Sequence, residues 1–292
     1  MVLLSILAFV VIFSTLILVH EWGHYIAAVK SGVKVEEFAL GFGPKIWGFK
    51  KGETDFNWNL IPFGGFVRML GEEESSEDPR SFEQAKLWKR IWITLNGVVM
   101  NWLFAMIALA ILFTHGVNPI LVSQSDLDRA IETGMVEAIE NPEEDGPRFK
   151  YAGMIKMPFY EAIPFAVKET ARISIAVLEK VAEIPAEIIR EKRLPEGLTG
   201  PVGIAEVTHK VVPMGIWELI KLTALLSISL AVMNMLPIPA LDGGRFVLQL
   251  FELVTRMKPN QKWEQLLHMA GFFVLIGFLV AVTYNDVVRI FF

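Results

Sequence analysis

Residues 20–24 read His-Glu-Trp-Gly-His, near the end of a long apolar segment. On an α-helix, positions i and i+4 share a face, so His20 and His24 can hold one metal ion between them. Glu21 then stands beside the open coordination position, where a water needs a general base. The pattern suits metal-assisted hydrolysis. Its place in a membrane-length helix points to a peptide bond in or beside the bilayer. With five His in the chain, an accidental HExxH is expected on the order of 0.01 times by position counting. Ionisable groups inside a span are costly, which argues for function rather than packing.

A catalytic zinc with an open position needs a third protein ligand. The chain has no Cys, which excludes thiolate zinc sites, disulfides and Fe–S clusters and leaves His and carboxylate. Residues 234–245 read NMLPIPALDGGR. Pro237 and Pro239 stop a helix, and Gly243 and Gly244 permit close backbone approach. Asp242 is thereby offered from irregular chain at the end of an apolar segment. Alone it would read as an Asp-Gly turn; beside the HExxH motif it is the candidate third ligand. Asn234 could hold a substrate backbone or a developing oxyanion, or equally brace a helix, and the residues leave both open. His115, His209 and His268 have no ligand-spaced neighbours and read as interfacial or loop histidines.

The elements that must position these residues are mainly membrane helices. The composition is 53% hydrophobic and 20% charged, which fits an integral membrane protein with sizeable aqueous segments. A net charge of −5 offers no basic patch, and no nucleic-acid motif is present. Nothing basic precedes the first apolar run, which argues against a signal peptide. Candidate spans lie at about 2–29, 91–114, 214–236 and 266–283, with apolar residues continuing the last toward 292. Lys30, Lys34, Lys86, Lys89 and Arg90 flank the loop between the first two spans. Arg245, Arg256, Lys258 and Lys262 flank the loop 245–264 between the last two. The positive-inside rule puts both loops in the cytoplasm and both termini outside. His20 lies about 27 Å along the helix from Val2 at 1.5 Å per residue, toward the cytoplasmic side of a core of about 30 Å. The end of the third span carrying Asp242 falls on the same side.

Residues 31–90 form the first cytoplasmic region. Within it, 35–40, 44–49, 54–60 and 63–70 read as short aromatic-rich strands, with turns at Lys51-Gly52 and Gly64-Gly65. This piece could dip into the membrane if protein covers its backbone, or form an ordinary cytoplasmic β-meander. The acidic run 72–74 reads as a solvated loop. Residues 115–211 form an extracytoplasmic segment. Its part 116–157 is polar, with a loop marked by Pro142, Asp145, Gly146 and Pro147. Its part 161–193 is an amphipathic helix against the outer membrane face, interrupted at Pro185. The fold class expected is a mainly α membrane protein of about four transmembrane helices with a small membrane-associated β-hairpin or β-meander.

These motifs resemble the site-2 protease family of intramembrane zinc metalloproteases, in its bacterial branch that includes the regulator of sigma-E protease. HEWGH matches the family's HExxH, which implies zinc on His20 and His24 with Glu21 as general base. NMLPIPALDGGR matches its second signature, which implies Asp242 as third ligand and Asn234 as a substrate contact. FALGFGPKIW (38–47), IPFGGFVRMLGE (61–72), residues 82–101 and LTGPVGI (198–204) are also similar, so the likeness covers most of the chain. It implies a multi-pass inner-membrane zinc metalloendopeptidase whose partners are the bilayer and a membrane-embedded protein substrate. That substrate would be a single-span protein, such as an anti-sigma factor or a remnant signal peptide. The hairpin would hold it by strand addition, with Gly64, Gly65 and Phe66 in contact. Two departures stand out. The segment 116–157 is too short for a whole PDZ domain, and Asn96-Gly97-Val98 replaces the family's usual Ala-Gly-Pro, while Asn101 matches its following Asn.

Two rivals have different signatures. A metal-binding membrane protein without protease activity would tolerate Glu21→Gln. A transporter would use intramembrane His and Asp along an ion path, against which no repeat of the spans is found. Sequence does not give the oligomeric state.

Overall fold

The computed structural model describes all residues except 73, 75, 122–123, 140–148, 192–194, 196–197, 259 and 292. The loop expected around Pro142 to Pro147 lies outside the described residues, as does the middle of the acidic run.

The helices are α1 (Val2–Ser31), α2 (Leu87–His115), α3 (Gln124–Glu132), α4 (Phe159–Glu191), α5 (Pro201–Val211), α6 (Ile216–Met235), α7 (Asp242–Thr255) and α8 (Gln261–Phe291). Among the described residues, four helical stretches are long and apolar enough to cross a membrane: Val2–Ser31, Leu87–His115, Ile216–Met235 and Lys262–Ile290. Their outward faces carry large apolar side chains such as Leu3, Leu7, Ile107, Phe273 and Val280. In water such faces would be a liability; against lipid they are the expected surface.

Helix α2 is the hub and touches α1, α4, α6 and α7. Its inward stripe holds Gly97, Asn101, Ala105 and Ala108, all buried. Small residues let neighbouring backbones approach, which is how membrane helices gain packing without a hydrophobic driving force. The α1–α2 crossing shows this directly. A Cβ on Gly23 would overlap the Asn96 carbonyl and stand 2.9 Å from Gly97 Cα. The Asn96 side-chain amide also donates to the Gly23 carbonyl, 2.6 Å away. Toward the other end of α2, Leu109, Leu112 and Phe113 pack with Ile173 of α4 and Ile228 of α6.

Between α1 and α2 lie two long antiparallel strands, β1 (Val35–Lys51) and β2 (Thr54–Met69). The four short runs expected here are halves of these two. Both strands bend, so Phe38 faces Val67 on one side and Phe56 on the other, and Leu40 faces Gly65 and Trp58. Gly64-Gly65 is therefore not a hairpin turn but part of β2. Gly41, Gly43 and Gly64 adopt φ of +83°, +86° and +85°, and these left-handed residues bend the strands without ending them. The end of α1 grips the sheet through Trp22, Tyr25, Phe38 and Phe56, whose rings meet at 5.4–5.9 Å.

Two further expectations need correction. Helix α4 does not break at Pro185 but runs through both Pro164 and Pro185. Each proline removes one backbone hydrogen bond; the burial of Ala162, Ala166 and Ile173 offsets that loss around Pro164, whereas residues 181–190 around Pro185 include no buried side chain. The stretch 245–264, read as a loop, is largely helix α7. Its polar residues Gln249 and Glu252 are buried while Val247, Phe251 and Val254 point outward. Gln249 donates to Thr94 Oγ1 at 2.9 Å, and Arg90 pairs with Glu252 at 2.5 Å, which pins α7 to α2. The segment 116–158 contains α3 and a small pair of strands, β3 (Val136–Ala138) and β4 (Phe149–Tyr151), among its described residues.

Candidate active site

His20 and His24 lie one turn apart on α1, with Nε2 atoms 3.2 Å from one another. The chain brings Asp242 to them from the far end of the sequence. Its Oδ2 is 3.1 Å from His20 Nε2 and 3.3 Å from His24 Nε2. Among the described residues these three form the only cluster of His and carboxylate groups fit to hold a metal. Their mutual spacing fits zinc. Donors at the corners of a tetrahedron with bonds of about 2.0–2.1 Å stand roughly 3.3 Å apart.

The backbone around Asp242 explains its placement. Helix α6 ends at Met235, and α7 begins at Asp242 with Leu241 as its N-cap. Cβ atoms on Gly243 and Gly244 would overlap the carbonyls of Met235 and Ile238, so only glycine lets α7 start this close to α6. An acidic residue in the first turn also suits the helix dipole.

Each histidine is held from behind. His24 Nδ1 donates to the Ile93 carbonyl at 2.8 Å, which leaves Nε2 as the free lone pair. His20 Nδ1 lies 3.4 Å from the Asn101 side-chain amide. Asn101 is fully buried, and its Oδ1 has no hydrogen-bond partner among the described residues. With the amide oxygen turned toward the ring, it accepts from His20 Nδ1–H and leaves Nε2 to face Asp242. Its own backbone carbonyl accepts from Ser227 Oγ at 2.9 Å, which fixes α2 against α6.

A cavity of about 330 Å³ opens beside the cluster, and Glu21, Asn234, Gly64, Gly65 and Phe66 all line it. Every residue singled out from the sequence as a site candidate thus lies around one space. Strand β2 comes close to α1 there. A Cβ on Gly65 would stand 2.9 Å from Ile17 Cγ2 and 3.2 Å from Glu21 Cγ.

Sequence reading missed three contributors. Glu72, taken as part of a solvated run, is only 11% exposed and pairs with Arg245 of α7. It also accepts from the Met69 backbone N–H at 3.2 Å, so one carboxylate joins the end of β2 to the helix that carries Asp242. An opposite charge brought from α7 overrides the local acidic pattern. Gly97 and His268, treated below, gave no signal beyond a small residue in a span and a lone histidine.

The fold and site define a membrane-spanning protein with a His-His-Asp cluster that could hold a metal ion. A profile of peptidase family M50 matches residues 8–278, and the chain belongs to that family, the site-2 proteases. A Clostridium perfringens protein, provisionally named a zinc metalloprotease, is 32% identical over 94% of this chain and 96% of its own length. The zinc metalloprotease RasP of Bacillus licheniformis and the regulator of sigma-W protease RasP of Bacillus subtilis are each 26% identical, over 98% of this chain and 99% of the relative. The B. subtilis alignment spans 421 positions against 292 residues here, so parts of that relative have no counterpart in this chain. The protein is a zinc metalloprotease.

Proposed function

We propose that this protein hydrolyses peptide bonds in or near the transmembrane segments of single-span proteins, with anti-sigma factors and remnant signal peptides as substrate classes. The observation that carries the reading is the meeting of His20, His24 and Asp242 within 3.3 Å of one another beside a cavity that Glu21 also lines. In this reading His20, His24 and Asp242 hold the zinc. When bound, zinc supplies Lewis acidity for the scissile carbonyl and lowers the pKa of water. Glu21 takes the proton from the attacking water on its carboxylate and delivers it to the departing amide nitrogen. Asn234 donates its amide to the substrate carbonyl as negative charge develops there.

A transmembrane helix hides its peptide bonds in its own hydrogen bonds and must unwind before attack. Residues 65–68 of β2 pair with β1, and Gly65, Phe66 and Val67 also line the cavity. Strand addition there, along Gly64, Gly65 and Phe66, would hold the unwound segment extended. The exposed Phe42, Trp47 and Ile61 of the same sheet suit a piece that dips into lipid. The lysines and arginines near the spans support a site on the cytoplasmic side with both termini outside. The short segment 116–157 leaves no room for a whole PDZ domain, so substrate choice rests on the membrane part.

The test is cleavage of a panel of single-span substrates in proteoliposomes by wild type and Glu21→Gln, with zinc measured in both. The reading expects zinc in both and cleavage in wild type alone. Cleavage by Glu21→Gln at the wild-type rate would overturn Glu21 as the base. No cleavage by zinc-loaded wild type across the panel would favour a metal-binding protein without this activity.

A further inference from the structure

Between the end of α6 and Asp242 the chain makes one tight turn over residues 238–241. The Leu241 N–H donates to the Ile238 carbonyl at 3.1 Å. Pro239 occupies the second position of the turn and Ala240 the third, with φ of +76°. That is the pattern of a type II turn, in which the third position calls for a left-handed residue and is normally glycine. Here it is alanine, whose Cβ disfavours this conformation. Such a residue persists only where its surroundings hold it.

The holding group comes from the last span. The Ala240 N–H donates to His268 Nδ1 at 2.9 Å. One turn further along α8, Gly271 touches the same loop so closely that a Cβ would overlap the Pro239 carbonyl. Helix α8 therefore meets the turn twice on one face, once by a hydrogen bond and once by direct backbone approach. Accepting at Nδ1 places the ring proton on Nε2, which has no hydrogen-bond partner among the described residues and lies 3.9 Å from Glu264 Oε1. Asp242 follows Ala240 by two residues, and its Oδ2 must stay within about 3 Å of two histidines on another helix to complete a tetrahedral site.

We infer that His268 is a positioning residue for the zinc site: it holds Ala240 in the left-handed conformation and so fixes where Asp242 presents its carboxylate. The inference rests on Asp242 being a zinc ligand. It assigns the fourth span a direct part in metal binding, through a backbone turn rather than a ligand.

The experiment is zinc affinity of the detergent-purified full chain, read by competition with a chelator, for wild type, H268L, H268Q, A240G and H268L/A240G. Removing the support of a metal ligand weakens binding by about ten- to a hundredfold, and that loss is expected for H268L. H268Q keeps an acceptor and should stay near wild type. A240G alone should bind as wild type does. H268L/A240G should recover most of the affinity, because glycine adopts the turn without help. Wild-type affinity in H268L would overturn the inference. So would a double variant no tighter than H268L, which would mean that α8 acts by bulk packing alone. If H268L does not fold, a loss in H268Q as large as that of His24→Ala overturns it, and wild-type-like binding upholds it. Failure of wild type itself to bind zinc would overturn the assignment of the metal site, a result distinct from either.

Discussion

Gly97 of α2 lies against the ring of His24 so closely that a Cβ there would overlap Nε2, the atom that faces Asp242, and would stand 2.8 Å from His20 Cε1. The metal cluster is thus walled by backbone on the side away from the cavity. Two histidines on one helix become a site only because the neighbouring helix has nothing to put between them.

Gly97→Ala should therefore displace one or both rings and weaken zinc binding by more than tenfold, on the scale seen when support of a metal ligand is lost. Helix content should survive, because alanine is the better helix former and α2 keeps its own backbone hydrogen bonds. Zinc titration beside circular dichroism checks both halves of the expectation.

Asn101 should matter through its oxygen. Asn101→Leu leaves His20 Nδ1–H without an acceptor and should cost about ten- to a hundredfold in zinc affinity. Asn101→Asp keeps an acceptor and should retain most of it. Equal losses in the two variants would mean that the amide only packs.

Gly65→Ala should lower cleavage while leaving zinc in place. Its new methyl group would press on Ile17 and on the Ala39 carbonyl, 2.9 and 3.0 Å away, and push β2 off α1 beside Glu21. The proposed zinc donors come from α1 and α7 and do not include the strand. Cleavage rate and zinc content of the same preparation separate the two effects.

Asp286 should be a stability residue. It is fully buried on α8, and its Oδ2 accepts from the backbone N–H groups of Gly200 and Gly203 at 2.9 and 2.8 Å. It satisfies the N-terminus of α5 and ties that helix to the last span. Hydrogen bonds to a charged group contribute about 1.5–3 kcal/mol, so Asp286→Ala should lower the melting temperature in detergent measurably. Zinc affinity of the folded fraction should move little, because the cluster is at the other end of α8.

The chemistry was more legible in the sequence than the architecture that supports it. His20, Glu21 and His24 declare themselves because i,i+4 spacing is a local property of a helix. Asp242 stands out as a candidate third ligand because proline and glycine around it mark where a span must stop. Contacts made across the chain left no such trace. Gly97 looks like any small residue in a span until α1 crosses it. His268 has no ligand-spaced neighbour, since its partner is a backbone N–H twenty-eight residues away. Glu72 sits in an acidic run, and only the approach of Arg245 makes it structural. Helix α7 was read as a loop because its polar residues face inward to Thr94 and Arg90, the reverse of a soluble amphipathic helix. Pro185 misled because an interior proline costs a helix one backbone hydrogen bond without having to end it, as α4 shows.

The central claim is that two distant motifs make one zinc site. The most direct measurement is the zinc content of detergent-purified wild type beside His24→Ala and Asp242→Ala. About one zinc per chain in wild type, lost or much weakened in both variants, is the predicted result. Wild-type zinc content and affinity in Asp242→Ala would contradict it, because the metal would then be held without the residue that the second motif supplies.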